Sequence, residues 1–335
     1  MTGRVAVLGA GSWGTALAVH LARIGHEVRL WARDPATVRD IHQRRANAVY
    51  LPDIHLPDAV VPTASLGDAL ADIELVVCAI PSHGIRAVMR GAAPHLAPGA
   101  ILVSATKGLE ADSMLRMSEV IAHEAGESHP VAVLSGPSFA LEVAQQLPTA
   151  VVVASHDGVA LERVQSDFKG PSFRVYGSND VAGVELCGAL KNVIAIAAGV
   201  VEGSGLGHNA LAALITRGLA EIARLTAAAG GRRETPAGLS GLGDLVLTCT
   251  GSLSRNRHVG IELARGRQLH DIVSGMKMVA EGVRTTGAAL ALASRYDVEL
   301  PIAVQISAVL EGRIDVRTGL EALMLRRQRA EAEPT

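Results

Sequence analysis

The stretch VAVLGAGSWGTAL, Val5 to Leu17, joins a short apolar run to a glycine cluster and then to an apolar segment with helical spacing. Gly9, Gly11 and Gly14 have the G-x-G-x-x-G spacing that follows the first strand of a dinucleotide-binding unit. The three glycines there permit a tight turn, a close approach to a pyrophosphate and close helix packing. A turn without a ligand could use the same residues. The strand, the helix and the next strand, EVRLWA, fall where the unit requires, so the pattern predicts a bound dinucleotide.

The end of the second predicted strand bears on the choice of cofactor. An acidic residue at this place would bind the 2′-hydroxyl of NAD, whereas an arginine could bind a 2′-phosphate. The sequence reads Ala32-Arg33-Asp34. We therefore expect NADP to be usable, with NAD left open because Asp34 is adjacent. Arg33 could also be a solvated charge at the strand end.

Composition limits the class of protein. The 335 residues are 49% hydrophobic and 19% charged, with a net charge of −2, which gives no reason to expect nucleic-acid or anionic-membrane binding. Cys78, Cys187 and Cys249 are far apart and lack metal-ligand spacing, so we expect reduced thiols, a cytoplasmic protein and no metal. The apolar run Val193–Val201 is shorter than the roughly 18 residues that would indicate a membrane span.

Chain organisation predicts an α/β Rossmann-type doubly wound sheet domain followed by an all-α C-terminal domain. Up to about residue 180, short β-branched runs alternate with helical segments such as Gly14–Ile24, His83–Ala93 and Ser113–Glu124. Beyond Asp180, long Ala- and Leu-rich segments with helical spacing take over. We place a dinucleotide-binding domain at 1–180 and a helical substrate domain at 181–335. The predicted strands are RVAVL, EVRLWA, AVVPT, ELVVCAI, AILVSAT, PVAVLS, TAVVVAS and FRVY.

Lys191 is a candidate for the substrate chemistry. It lies in VELCGALKNVIAIAAG, an otherwise largely apolar helical segment, with Gly188 and Ala195 on its side. A partly buried lysine can have its pKa lowered into the range of an acid–base catalyst. Alternatively, its head could reach the surface or pair with Glu185.

A second cluster lies in GLSGLGDLVLTCTGSLSRNRHVG, residues 238–260. It combines Asp244 and Thr248 with Ser254, Arg255 and Asn256 among many glycines. Ser254 could cap a helix that begins near Arg255, and such a helix start is also a suitable place for a phosphate. Surface arginines behind an ordinary cap are the alternative.

Two further loops follow predicted strands of the first domain. SATKGLE contains Lys107, and LSGPSFALEVA contains Ser135, Gly136 and Ser138. The carboxyl ends of strands in a doubly wound sheet open onto the ligand crevice, so Lys107 and Ser138 are candidates for substrate contact.

The combination of motifs closely resembles bacterial NAD(P)-dependent glycerol-3-phosphate dehydrogenases. The motifs run from Gly9 to about Pro301: GAGSWGTALA, NAVYLP, PSH, ATKGLE, LSGPSFALEVA, ALKNVIAIAAG, NALAALITRGL, GLGDLVLTCTGSLSRNRHVG and VAEGVRTT. The resemblance implies reversible reduction of dihydroxyacetone phosphate to sn-glycerol 3-phosphate for phospholipid synthesis, with NADP(H) or NAD(H) as cofactor. It also implies a homodimer.

The resemblance also implies roles for individual residues. Lys191 would be the catalytic acid–base residue, and Lys107 and Arg255 would contact both substrate and cofactor. The remaining implied substrate contacts are Gly136, Ser138, Asp244, Ser254 and Asn256, with Lys191 itself. The remaining implied cofactor contacts are Gly9, Gly11, Ser12, Trp13, Gly14, Arg33, Ala140, Val279 and Glu281.

Two other functions are compatible with a dinucleotide-binding fold. One is a related small hydroxy-acid or ketopantoate-type reductase, against which the anion-binding cluster at residues 254–257 argues. The other is a catalytically silent nicotinamide-binding regulator, which would have no reason to hold Lys191 and Asp244 together.

Overall fold

A computed structural model describes residues 3–276, 278–328, 330 and 331. Its main sheet contains the eight strands that the sequence predicts, in the order β10-β9-β8-β7-β6-β1-β2-β5. All neighbours are parallel except β8 and β9, which pair antiparallel. The strands, which include two in a small separate sheet, are β1 (Arg4–Leu8), β2 (Glu27–Trp31), β3 (Ala46–Asn47), β4 (Leu51–His55), β5 (Val60–Thr63), β6 (Leu75–Cys78), β7 (Ile101–Ser104), β8 (Val131–Ser135), β9 (Thr149–Ser155) and β10 (Phe173–Ser178).

Helices cover the sheet because the central strands are apolar on both faces. In β1, every residue after Arg4 is buried, as are all four residues of β6. The helices of this part are α1 (Ser12–Arg23), α2 (Pro35–Arg44), α3 (Leu66–Leu70), α4 (Ile85–Ala92), α5 (Met117–Ala125), α6 (Ala140–Ala144) and α7 (Gly158–Phe168). The parallel Rossmann-type sheet is thus confirmed.

The predicted helix at Ser113–Glu124 starts later than expected. Residues Leu109 and Arg116 form an isolated antiparallel bridge, and Met114 has a φ of 61°. This turn is incompatible with a helix, so α5 begins at Met117.

The C-terminal part is mostly helical, as predicted. Its helices are α8 (Val181–Gly203), α9 (Gly207–Ala228), α10 (Asp244–Thr250), α11 (Arg255–Ala264), α12 (Leu269–Ser274), α13 (Glu281–Arg295), α14 (Pro301–Leu310) and α15 (Val316–Met324), with a short π-helical turn at Leu239–Gly243. Helix α8 is long and apolar enough to cross a membrane, but 94% of its most apolar window is buried inside the protein. It is therefore the central helix of the C-terminal core.

Helices α8 and α11 pack backbone to backbone. A Cβ on Gly199 would overlap the carbonyl oxygen of Arg257, and a Cβ on Gly260 would overlap that of Ile196. Only glycine at these two positions permits the observed approach. The contact fixes the position of Lys191, in α8, relative to the first turn of α11.

Candidate active site

The glycine turn has the geometry needed for a pyrophosphate. Gly9 has a φ of 113°, and a Cβ there would lie 2.5 Å from the carbonyl oxygen of Ala79. A Cβ on Gly14 would overlap the carbonyl oxygen of Gly9. At Gly11, by contrast, no atom lies within 4 Å of the Cβ position. Gly9 and Gly14 therefore shape the turn, whereas Gly11 leaves space on its outer side for a ligand.

The first turn of α1 offers free donors to that space. Gly11 is the N-cap residue and supplies no side chain to cap the helix. The first N–H groups of a helix have no partner within the helix, and they favour an anion. Among the described residues, the buried indole Nε1 of Trp13 also has no hydrogen-bond partner. These features fit a dinucleotide.

Asn47, in the NAVYLP motif, stabilises the glycine turn through its side chain. The sequence did not predict this role. Its side chain is 1% exposed and donates hydrogen bonds of 2.9 Å to the carbonyl oxygen of Ala10 and to Oγ1 of Thr15. The nearby Ser12 hydroxyl donates to the carbonyl oxygen of Tyr50 at 2.5 Å. The available sequence signal was the position of Asn47 in the NAVYLP motif, because its burial and its contacts with the turn appear only in the fold.

Arg33 follows β2 and lies beside Asp34, whose carboxylate caps the next helix. Asp34 is the N-cap of α2, and its side chain accepts hydrogen bonds from the N–H of Ala36 at 2.9 Å and from Oγ1 of Thr37 at 3.2 Å. Both hydrogen bonds lower the pKa of Asp34, and the bond from the Ala36 N–H has the larger effect. Arg33 is exposed. The capping role uses the Asp34 oxygens and leaves Arg33 as the free charged group at the strand end.

Lys191 is buried in a polar cluster rather than exposed. The residue is 6% exposed, and its Nζ donates to Oδ1 of Asp244 at 2.7 Å and to Oγ1 of Thr248 at 2.6 Å. It does not pair with Glu185, whose carboxylate instead accepts from Arg116 at 2.9 Å and from the Ser118 N–H at 2.8 Å. The structure therefore shows neither alternative to a buried lysine site: the ammonium of Lys191 does not reach the surface, and it does not pair with Glu185.

Burial lowers the pKa of Lys191 to about 8, because desolvation disfavours the ammonium. The negative charge of Asp244 opposes this shift, and the positive charge of Lys107 adds to it. The lysine therefore titrates near the pH range in which a group both donates and accepts protons.

Asp244 joins the two lysines across the two parts of the chain. Lys107, in the loop after β7, donates to Oδ2 of Asp244 at 2.6 Å and to the carbonyl oxygen of Gly136 at 2.9 Å. Ser138 donates to the same carbonyl oxygen at 2.9 Å. Although burial alone would raise the pKa of Asp244, which is 1% exposed, Lys107 and Lys191 lower it overall. The carboxylate thus stays charged and holds both ammonium groups in place.

Helix α11 begins as the sequence predicts. The Ser254 hydroxyl accepts a hydrogen bond from the N–H of Arg257 at 3.2 Å, so Ser254 is the N-cap. Arg255 and Asn256 then occupy the first two helical positions, whose N–H groups have no acceptor within the helix. Arg255 is exposed, in the electrostatic field of Glu281. The helix start therefore combines unpaired N–H donors with a guanidinium, which suits a phosphate.

The side chain of Asn256 is engaged within the protein. Its Nδ2 donates to Oδ1 of Asn192 at 2.9 Å, and its Oδ1 accepts from the N–H of Gly282 at 2.9 Å. These bonds tie α11 to α8 and α13. Asn256 therefore has its backbone N–H, rather than its side chain, available for an anion.

Three further residues have an implied cofactor role. Glu281, the first residue of α13, accepts hydrogen bonds from the N–H and the hydroxyl of Ser82, at 3.0 Å and 2.6 Å, in the loop after β6. Val279 is half-buried just before α13, and Ala140 begins α6. In the part of the chain that the structure describes, no group of three or more His, Cys, Asp or Glu side chains could hold a metal ion.

A dinucleotide turn on a mostly parallel sheet, combined with a buried lysine of the helical part that shares Asp244 with Lys107 of the sheet part, defines a nicotinamide-dependent oxidoreductase. Two family models, described as the N-terminus and the C-terminus of NAD-dependent glycerol-3-phosphate dehydrogenase, match residues 4–160 and 180–321. The chain belongs to this family, which confirms the resemblance found in the sequence.

Individual relatives agree over almost the full chain. A glycerol-3-phosphate dehydrogenase [NAD(P)+] from Koribacter versatilis is 53% identical over 96% of this chain and 97% of its own length. One from Syntrophotalea carbinolica is 51% identical over 98% and 99%. The crystal structure of glycerol-3-phosphate dehydrogenase from Coxiella burnetii superposes with a TM-score of 0.93 at 40% identity, covering 97% of this chain and 99% of that one.

Proposed function

We propose that the protein catalyses reversible, NAD(P)-dependent hydride transfer between dihydroxyacetone phosphate and sn-glycerol 3-phosphate. The observation that carries the proposal is the Lys107–Asp244–Lys191 cluster, in which one buried carboxylate lies 2.6 Å and 2.7 Å from two ammonium groups. The names of the relatives, glycerol-3-phosphate dehydrogenase [NAD(P)+], support the same substrate pair.

The phosphate of the substrate binds at the start of α11. The N–H groups of Arg255 and Asn256 and the guanidinium of Arg255 supply charge-assisted hydrogen bonds, and the Ser254 cap and the Asn192–Asn256 bond hold this turn in place. Gly199 and Gly260 fix α11 against α8, so a phosphate bound there brings the three-carbon substrate toward Lys191. Gly136 and Ser138 complete the substrate site beside Lys107.

The cofactor site lies along the carboxyl edge of the sheet. Gly9, Gly11 and Gly14 receive the pyrophosphate, with Ser12 and Trp13 in the same turn, and Arg33 faces the ribose at the end of β2. Ala140, Val279, Glu281, Lys107 and Arg255 complete the cofactor site. When bound, the nicotinamide supplies or accepts the hydride, and the protein supplies orientation and charge.

Lys191 provides the proton. As an ammonium, it stabilises the negative charge that develops on the carbonyl oxygen and then donates a proton to it. In the reverse direction, the neutral amine accepts the proton of the alcohol. Asp244 keeps Lys191 oriented through one oxygen and Lys107 through the other.

We further propose a domain organisation and a physiological role for the protein. We place the dinucleotide-binding domain at 1–180 and the helical catalytic domain at 181–335, in a cytoplasmic homodimer that uses NADPH or NADH and supplies sn-glycerol 3-phosphate for phospholipid synthesis. A hydroxy-acid or ketopantoate-type reductase would leave the donors at the start of α11 without a phosphate. A silent regulator would leave the buried Lys191–Asp244 pair without a use.

The direct test is the initial rate of NADPH and NADH oxidation, followed at the nicotinamide absorbance, with dihydroxyacetone phosphate or unphosphorylated dihydroxyacetone. We expect rapid oxidation with the phosphorylated ketone alone. Equal rates with both ketones would contradict the phosphate site. No oxidation with either ketone, despite measurable cofactor binding, would favour the silent regulator.

A further inference from the structure

A cluster of three basic side chains lies at the cofactor edge, and Arg33 is one of them. Arg33 follows β2, His83 follows β6, and Arg284 lies in α13 of the helical part. All three residues are exposed. His83 interacts electrostatically with both arginines. Three separate segments thus bring two guanidinium groups and an imidazole into one electrostatic cluster.

The fold explains why these segments meet. Strands β2 and β6 lie on either side of β1, so the loops that follow them open on either side of the glycine turn. The loop after β6 is held to α13 by the two hydrogen bonds from Ser82 to Glu281. His83 adjoins Ser82, and Arg284 lies three residues beyond Glu281, one helical turn along α13. The Ser82–Glu281 contact therefore brings Arg284 to His83.

The two arginines lack partners of their own. Within the described residues, neither Arg33 nor Arg284 forms an ion pair or a side-chain hydrogen bond. Many other arginines do, such as Arg86 with Glu110 at 2.7 Å and Arg116 with Glu185 at 2.9 Å. The carboxylate of Glu281 acts on His83 and also accepts hydrogen bonds from Ser82. Two arginines without an ion-pair partner still favour an anionic ligand.

We propose that His83 and Arg284 form, with Arg33, the site for the 2′-phosphate of NADP and so determine the preference for NADP over NAD. A phosphate group at the end of β2 is within the reach of a ribose whose pyrophosphate occupies the glycine turn. Arg33 and Arg284 bind it as fixed cations, and His83 adds a charge that depends on pH. This inference rests on the proposed function only in requiring an NAD(P)-type dinucleotide on that turn.

The state of His83 gives the site a pH dependence. Partial desolvation lowers the pKa of His83. The positive charges of Arg284 and Arg33 lower it further, and the negative charge of Glu281 opposes these effects. The lowered pKa favours the neutral imidazole in the free protein, whereas a bound phosphate dianion favours its protonation. Affinity for the 2′-phosphate should therefore rise as the pH falls from 8 to 6.5, and binding should take up a proton.

The test is calorimetric binding of adenosine 2′,5′-bisphosphate and of 5′-AMP, which differ only in the 2′-phosphate and require no catalysis. The wild type should bind the bisphosphate more tightly. Arg284→Gln and His83→Gln should each raise the Kd of the bisphosphate about three- to tenfold. This change corresponds to a loss of about 0.7–1.4 kcal/mol of binding free energy. Binding of 5′-AMP should change less than about twofold, since it lacks the group that these side chains bind.

Two controls match these variants. Arg295→Gln changes an arginine at the far end of α13, and His95→Gln changes an exposed histidine in the same part of the sheet domain. Both should bind the two nucleotides as the wild type does. Equal affinity of the wild type for both nucleotides would overturn the proposal. Equal losses for both nucleotides in the His83 and Arg284 variants, or unchanged binding, would also overturn it.

The same measurements separate this inference from the proposed function. If the wild type fails to reduce dihydroxyacetone phosphate but the variants lose bisphosphate affinity selectively, the 2′-phosphate site stands and the substrate assignment fails. If reduction proceeds with both cofactors but the variants bind as the wild type does, the enzyme assignment stands and this site fails.

Discussion

Nζ of Lys191 lies 2.7 Å from Oδ1 of Asp244, and the two residues are only 6% and 1% exposed. A buried charge pair of this kind is costly to desolvate and is weak evidence for stability alone. The second oxygen of Asp244 binds Lys107, so one carboxylate positions two ammonium groups at the junction of the two parts of the chain. Catalysis accounts for this cluster better than stability does.

Replacing Lys191 tests its role as the proton donor. We expect Lys191→Met, which retains most of the side-chain volume, to lower kcat for dihydroxyacetone phosphate reduction by roughly 10²–10⁴-fold, the usual contribution of a general acid. Cofactor affinity, measured by fluorescence titration, should stay within about twofold because the glycine turn is untouched. The exposed Lys169→Met variant is the control. A Lys191→Met enzyme with wild-type kcat would refute the assignment.

The pH profile tests the pKa of Lys191. Because that pKa is about 8, kcat/KM for ketone reduction should fall as the pH rises through about 8, and kcat/KM for alcohol oxidation should rise over the same range. Asp244 raises the pKa of Lys191, so Asp244→Asn should move both transitions to lower pH. Transitions that stay in place in this variant would show that another group controls the profile.

Replacing Arg255 tests the phosphate site. Arg255→Gln should chiefly raise KM for dihydroxyacetone phosphate, by about tenfold or more, because it removes a charge-assisted hydrogen bond of about 1.5–3 kcal/mol. The ratio of kcat/KM for dihydroxyacetone phosphate to kcat/KM for unphosphorylated dihydroxyacetone should fall by a similar factor, because only the phosphorylated ketone uses this contact. Arg265→Gln, at the end of the same helix, is the control, since Arg265 pairs with Glu262 on the surface. An unaltered KM in Arg255→Gln would place the phosphate elsewhere.

Much of this site was predictable from the sequence because the signals are local. The glycine turn, the Ser254 cap and the buried Lys191 each depend on a short pattern of residue types. The contact between Lys107 and Asp244 spans 137 positions, and that between Ser82 and Glu281 spans 199. No local pattern encodes such pairs, which form only when the loops after β6 and β7 meet the helical part.

Short elements were the other part that the sequence did not predict. The β3–β4 pair has an irregular register and only two residues in its first strand, so it lacks an alternating pattern. It nevertheless carries Asn47, which holds the glycine turn. The π-helical turn at Leu239–Gly243 has the same character, because its Gly-rich sequence is typical of a loop.

Replacing Gly11 separates ligand binding from folding. The backbone of Gly11 has a φ of −72°, and its Cβ position is free of contacts, so Gly11→Ala should fold with wild-type thermal stability. The added methyl group would occupy the space where a pyrophosphate approaches, and NAD(P)H affinity should fall about tenfold or more. Gly287→Ala, at another contact-free position, should retain full affinity. Unchanged cofactor binding in Gly11→Ala would refute the turn as the pyrophosphate site.

Glu221 gives the helical part a pH-dependent stability that is independent of the active site. The residue is 4% exposed and accepts hydrogen bonds from the N–H groups of Ile302 and Ala303 at the start of α14. Burial raises the pKa of Glu221 to about 7, although these bonds oppose the shift. Because the folded state holds the proton more tightly than the unfolded state does, this group stabilises the fold fully below about pH 4.5, and the contribution is lost as the pH rises toward 7.

Urea unfolding between pH 5 and pH 8 measures this contribution. The shift corresponds to at most about 3.5 kcal/mol at roughly 1.4 kcal/mol per pKa unit. The difference in unfolding free energy between wild type and Glu221→Gln should therefore move against the wild type as the pH rises, because glutamine cannot lose a proton. The exposed Glu162→Gln variant should track the wild type at every pH. Parallel curves for wild type and Glu221→Gln would mean that Glu221 titrates near its ordinary value and that α14 is capped by a carboxylate throughout this range.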